Sequence, residues 1–129
     1  MDLPKVLIVE DWPDNQEMIK QKLEEATCGN IVVLQALDII TAKILFRDNP
    51  DIKAIIMDYL MPMRSDDPSR MDNTADLIRE FRKRFGFTGP IIATSGEEDN
   101  RKIQLKAGCD HEAEKRQASK KVIEILNLR

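Results

Sequence analysis

The stretch that decides the fold is Lys5-Val6-Leu7-Ile8-Val9-Glu10-Asp11. Four consecutive apolar residues, three of them β-branched, stop abruptly at two adjacent acids. A strand buried on both faces reads this way, because helices cover both sides of a parallel sheet and leave no solvent face to alternate with. Trp12-Pro13 ends the strand, and Asp14 with Glu17 three residues later predicts a helix N-cap and its capping-box partner. Met18, Ile19, Leu23 and Ala26 follow at helical spacing, and Cys28-Gly29-Asn30 closes that helix.

The same alternation continues outward. Ile31-Val32-Val33-Leu34 is a second strand, and Asp38 is placed to cap a helix that buries Ala42, Leu45 and Phe46. Ala54-Ile55-Ile56-Met57 is a third strand, ending at Asp58. The polar stretch Met63–Asn73 reads as a long loop, and loops of that length are usually functional or mobile. Ala75, Leu77, Ile78, Phe81 and Phe85 predict an amphipathic helix, with Arg82, Lys83 and Arg84 near its negative end. Pro90-Ile91-Ile92-Ala93 is a fourth strand ending at Thr94-Ser95-Gly96, and Ile103, Leu105 and Ala107 fit a short helix stopped by Gly108. A polar fifth strand over His111–Glu114 and a last helix with Val122, Ile123 and Leu126 complete the chain. Five strand–helix alternations predict an α/β fold, a doubly wound five-stranded parallel sheet with helices on both faces.

Composition bounds the function. A chain of 129 residues with 42% hydrophobic and 33% charged residues is expected to form one domain over residues 1–129, with enough apolar surface for a core. A net charge of -3 argues against nucleic acid as a direct partner. No apolar run reaches the roughly 18 residues of a membrane span, and a signal-type apolar segment is missing. Cys28 and Cys109 have no CxxC spacing and are expected to be two buried thiols in a reducing compartment. The expected localisation is cytoplasmic.

In open parallel sheets, ligands sit beyond the carboxyl ends of the strands. Here those ends carry Glu10 and Asp11, Asp58, Ser95 and, after the fifth strand, Lys115. Three carboxylates brought close together raise one another's pKa unless a cation neutralises them. An all-oxygen site of that charge suits Mg²⁺. A carboxylate there is able to attack a phosphoryl group, with Ser95 and Lys115 hydrogen-bonding or neutralising the phosphoryl oxygens. Taken singly, each residue has an ordinary reading as a turn former, a loop serine or a surface lysine, and the weight lies in their joint order. His111, the single histidine, reads as a surface or strand-edge residue.

With these residues in view, the whole chain resembles the response regulator receiver domains of two-component signalling. Val6–Asp11 is similar to the family's first strand with its acidic pair, and Ile55-Ile56-Met57-Asp58-Tyr59-Leu60-Met61-Pro62 to its phosphoacceptor segment. Pro90–Gly96 resembles the fourth strand with its switch hydroxyl, and Lys106-Ala107-Gly108-Cys109-Asp110 the turn that precedes the family's lysine. The resemblance implies a flavodoxin-like sheet of order 2-1-3-4-5. It implies Asp58 as phosphoacceptor and Ser95 and Lys115 as its catalytic companions. It also implies Mg²⁺, with Mn²⁺ as a substitute, held by Glu10, Asp11, Asp58 and the backbone carbonyl of Leu60. The implied donor is a histidine kinase or histidine phosphotransfer domain, and the implied output is altered binding to a downstream protein rather than stand-alone enzyme activity.

Two positions depart from the family pattern. Glu112 stands where an aromatic residue is usual, and Arg116 stands where a proline usually follows the lysine. They favour a rival expectation, a receiver-like binding module that works without phosphorylation. A phosphatase of the haloacid dehalogenase type would want an acid at position 60, which is Leu, and a flavin carrier would want a phosphate-cradling loop where Glu10-Asp11 stands.

Overall fold

The computed structural model describes residues 2–128. Its main sheet is built from β1 (Lys5–Val9), β2 (Val32–Ala36), β3 (Ile52–Met57), β6 (Ile91–Ala93) and β7 (His111–Glu112). These five strands are parallel and lie in the order β2-β1-β3-β6-β7, so the five main-sheet strands, counted along the chain, run 2-1-3-4-5. The fold expected from the alternation is the one observed.

The apolar run of β1 divides between two cores as a pleated strand requires. Val6 and Ile8 face the layer of α1 (Pro13–Ala26) and α5 (Ala118–Leu126), packing with Ile19, Leu23, Ala118 and Val122. Leu7 and Val9 face the other layer, made by α2 (Ile39–Asp48), α3 (Ala75–Arg79) and α4 (Glu98–Ala107). In β3 the same division sends Ala54 and Ile56 one way and Ile55 and Met57 the other. Fully burying an Ile or Leu stabilises by roughly 1.5–3 kcal/mol, so both layers hold the sheet firmly. Among the described residues, no helix is long and apolar enough to cross a membrane.

Several local expectations are corrected. Asp14 does not cap α1: Trp12 holds the N-cap position and makes no side-chain cap, and Pro13 opens the helix. Proline fixes a helical φ and gives up an N–H that has no partner there, so the helix begins ahead of Asp14. Asp14 instead places its charge in the first turn, where the helix dipole favours it.

The stretch Met63–Asn73 is not a structureless loop. β4 (Leu60–Pro62) and β5 (Met71–Asn73) pair antiparallel, with Leu60 opposite Asn73 and Pro62 opposite Met71. The turn between them is closed by Asp67 N–H donating to Arg64 O, Arg70 N–H donating to Asp67 O, and the Ser69 hydroxyl donating to Asp67 Oδ1 at 2.6 Å. Asp38 caps α2 as expected, accepting from Thr41 N–H at 2.6 Å. Its other oxygen accepts from Ser65 N–H at 2.7 Å, which ties the hairpin to α2. Burial works to raise the Asp38 pKa, but these bonds from Thr41 and Ser65 outweigh it and lower the value.

The helix predicted over Ala75–Phe85 changes character midway: α3 passes into a π-helical turn over Glu80–Arg84. Phe81 is fully buried there and stacks on Phe46 with centroids 4.2 Å apart. Arg82 lies in the last turn with Lys83 and Arg84, as expected. Its guanidinium donates to the carbonyls of Gly108, Phe87 and Gly89 at 2.9, 3.0 and 2.6 Å. Gly108 has φ +135, and a Cβ there would stand 2.9 Å from Arg82 Cγ, so this turn needs glycine.

On α4 the apolar expectation fails in part. Ile103 is 41% exposed, while Gln104 and Ala107 are buried. Cys28 is exposed with φ 52, contrary to the expected buried thiol. Cys109 is buried, and burial pushes its thiol up to about 12. The fifth strand shrinks to His111–Glu112, because Glu112 and Glu114 are exposed at the sheet edge.

Candidate functional site: acids at the carboxyl ends of the strands

Main-chain bonds one step beyond the strands bring the acids together. Glu10 N–H donates to Ala36 O, Asp58 N–H to Val9 O and Thr94 N–H to Met57 O. The ladder therefore continues past the last strand residues, and Glu10 and Asp58 leave adjacent strands at one level. From α1, the buried Gln16 points its Nε2 at the carbonyls of Ile8, Glu10 and Ala36, at 2.9, 3.0 and 2.9 Å. Sequence periodicity gives no role to Gln16, since a buried amide whose Nε2 bonds strand-end carbonyls leaves no apolar signal.

The Glu10 carboxylate is only 2% exposed. Its Oε1 accepts from Trp12 N–H and Asn15 Nδ2, both at 3.2 Å. Its Oε2 lies 3.0 Å from Lys115 Nζ but has no hydrogen bond of good geometry. Asp58 is buried as well; its Oδ1 accepts from Tyr59 N–H at 2.8 Å and its Oδ2 from Lys115 Nζ at 3.2 Å. Asp11 is half-buried, and one oxygen from each of Glu10, Asp11 and Asp58 lies within 4.8 Å of the others.

The electrostatics follow from that crowding. Burial, and next the charge of Glu10, push Asp58 from 3.8 up to about 7, against smaller opposing pulls from Lys115 and the Tyr59 N–H. Burial and Glu10 also raise Asp11. For Lys115 burial works downward, yet the combined attraction of Asp58 and Glu10 overcomes it and raises the pKa. A cluster that keeps one carboxylate half-protonated near neutrality is short of positive charge.

The donor set fits a small hard cation. It is all oxygen, it includes the buried Oε2 of Glu10 that lacks a hydrogen bond, and it matches what Mg²⁺ takes from proteins. The Leu60 carbonyl is also free of the hairpin ladder. Thr74 N–H donates to Tyr59 O and Met63 N–H to Arg70 O, so the alternation of an antiparallel pair leaves Leu60 at a non-hydrogen-bonded position.

Ser95 follows β6 and is buried, and its hydroxyl accepts from Glu97 N–H at 3.3 Å. It sits one residue beyond Thr94, which bonds the β3 end, so the topology carries it to the same rim. Glu112 pairs with Arg101 at 3.0 Å. Arg116 lies in a short 3₁₀ turn (Lys115–Gln117) ahead of α5, and its carbonyl accepts from Lys22 Nζ at 2.9 Å. Among the described residues no peptide bond is cis.

No protein-family model matches the sequence, and neither does any curated protein. Solved structures do resemble it. A response regulator receiver domain from Francisella is 25% identical with a TM-score of 0.71, the match covering 96% of this chain and 93% of that one. A two-component response regulator from Clostridium difficile is 22% identical with a TM-score of 0.76, covering 96% of each chain. A response regulator receiver domain protein from Clostridium thermocellum is 23% identical with a TM-score of 0.74, covering 97% of this chain and 95% of that one.

Proposed function

We propose that this chain, which has the fold of the response regulator receiver domains, works over residues 1–129 as a single receiver unit that accepts a phosphoryl group on Asp58. The observation that supports this most is the convergence of Glu10, Asp11 and Asp58 with the Lys115 ammonium on one rim of the sheet. The donor is a phosphohistidine on a histidine kinase or a histidine phosphotransfer domain. A carboxylate oxygen of Asp58 forms the new bond to phosphorus as the donor's P–N bond breaks, and the imidazole leaves with the electron pair and takes a proton. Transfer needs the ionised carboxylate, and an Asp58 raised to about 7 is only partly ionised at neutrality.

Glu10, Asp11, Asp58 and the Leu60 carbonyl are the groups that would hold Mg²⁺, or Mn²⁺ in its place. The bound ion would supply the positive charge that keeps these acids ionised and offsets the phosphoryl oxygens. Lys115 pairs with the phosphoryl group from its position beside Asp58, and the Ser95 hydroxyl, released from the Glu97 N–H, hydrogen-bonds a phosphoryl oxygen. The phosphoryl group adds about -1.5 to -2 charge, which alters the surface offered to a downstream protein. The chain is then a signalling component of the cytoplasm rather than a stand-alone enzyme.

Acetyl phosphate with Mg²⁺ tests this reading. The wild-type chain is expected to take up label and Asp58→Asn to take up none; equal labelling of the two contradicts it. A rival reading, a receiver-like module that binds its partner without phosphorylation, draws support from Glu112, whose ion pair with Arg101 occupies the place of a mobile aromatic. Partner binding unchanged by acetyl phosphate would favour the rival.

A further inference from the structure

The sheet-facing side of α4 carries two polar residues one turn apart, and each grips the main chain of a site residue. Gln104 is fully buried, and its Nε2 donates to the carbonyls of Met57 at 2.8 Å and Asp58 at 3.1 Å. The Thr74 hydroxyl donates to the same Asp58 carbonyl from the start of α3, at 2.5 Å. Arg101, one turn before Gln104, sends Nη1 to the Ser95 carbonyl at 2.8 Å and Nε to Glu112 at 3.0 Å. An amide placed at a fully buried helix position is costly unless its bonds are made; here the Nε2 bonds go to the main chain at the end of β3, while Oε1 has no hydrogen-bond partner.

We infer that Gln104 and Arg101 are positioning residues: Gln104 sets the Asp58 main chain, and so the direction of its carboxylate, while Arg101 sets the backbone of Ser95. The inference rests on the phosphoacceptor reading of Asp58. Neither residue touches the reacting atoms. Glu112 belongs to the same device, since its carboxylate fixes the guanidinium that holds Ser95. The edge strand β7 is thereby joined through α4 to the Ser95 main chain without any aromatic side chain.

The test is the rate of label uptake from acetyl phosphate with saturating Mg²⁺, read beside thermal stability. Gln104→Met keeps the volume and removes both donors, and uptake is expected to slow by about ten- to a hundredfold, the cost of a small misplacement of a reacting group. Gln104→Glu, of the same shape with at most one donor, replaces it if the methionine variant does not fold. Val122→Ala, which loosens the α1–α5 layer on the face of the sheet opposite α4, is the control, and its uptake is expected to stay near wild type. Arg101→Met is expected to slow uptake in the wild-type background and to add nothing in a Ser95→Ala background, whereas Gln104→Met slows both.

Wild-type labelling with Gln104→Met uptake no slower than the control overturns the role of Gln104. An equal effect of Arg101→Met with and without Ser95 overturns that of Arg101. A wild-type chain that takes up no label removes the phosphoacceptor reading itself, and the positioning roles with it.

Discussion

Lys115 Nζ stands 3.0 Å from Glu10 Oε2 and 3.2 Å from Asp58 Oδ2, so one ammonium answers two buried carboxylates. The lysine enters from the turn after β7, the acids from the ends of β1 and β3. Three separated stretches of sequence thus share one electrostatic problem, and the behaviour of the site follows from how it is solved.

Removing that ammonium leaves the acids uncompensated. Lys115→Met is expected to destabilise the metal-free protein at pH 8 by about 2 kcal/mol, less than a fully buried broken pair because the lysine is partly exposed. At pH 5 the loss shrinks, since Asp58 is then protonated. Urea denaturation at the two pH values checks this, and an equal loss at both contradicts it.

Asp58 also gives the metal-free protein a pH dependence of defined sign. Its native pKa of about 7 exceeds the ordinary aspartate value of 3.8, so between those values the native state binds more protons than the unfolded one. Stability therefore falls as pH rises through that window and levels off above it. Asp58→Asn removes the share of the slope that Asp58 contributes. The variant is expected to be more stable than wild type at pH 8, with the advantage fading toward pH 4, as thermal melts in chelator would record.

Cation binding should be visible through Trp12, which is 59% exposed and whose main-chain N–H donates to Glu10 Oε1. Mg²⁺ is expected to change Trp12 fluorescence saturably and to raise the melting temperature, because a ligand of the native state stabilises it. Both responses should disappear in Asp11→Asn/Asp58→Asn. Their survival there would place the cation elsewhere.

The hairpin hangs partly on Asp38. Asp38→Ala loses the cap on Thr41 and the tie to Ser65, and is expected to cost about 1–2 kcal/mol. Cleavage by a protease within residues 64–70 should accelerate more than cleavage elsewhere. Uniform acceleration over the whole chain would show that the tie is not local.

The legible part of the fold was the part carried by apolar side chains. β1 and β3 announce themselves because both faces are buried, and the residue after each run then marks the rim where Glu10 and Asp58 stand. The hairpin was hidden because β4 and β5 are three residues each and β5 is exposed throughout, held by main-chain bonds rather than by an apolar period. The cluster Ser65-Asp66-Asp67-Pro68-Ser69 was its one sequence signal, a turn between two short extended pieces.

The inner face of α4 misled for a related reason. Ile103 and Leu105, two residues apart, do not share a helical face, and the buried position between them belongs to an amide. Gln16 and Gln104 bond to strand-end carbonyls, whose positions depend on tertiary packing and leave no mark in a pattern of hydrophobicity. The acids were readable one by one, while the residues that aim them were not.

Mapping the modified residue by mass spectrometry, after acetyl phosphate treatment in Mg²⁺ and again in chelator, bears most directly on the claim that these acids bind a cation and make one of them a phosphoacceptor. The expected result is one phosphoryl group on Asp58 in Mg²⁺ and none in chelator. A label on another residue, or one on Asp58 that is indifferent to chelator, would contradict it.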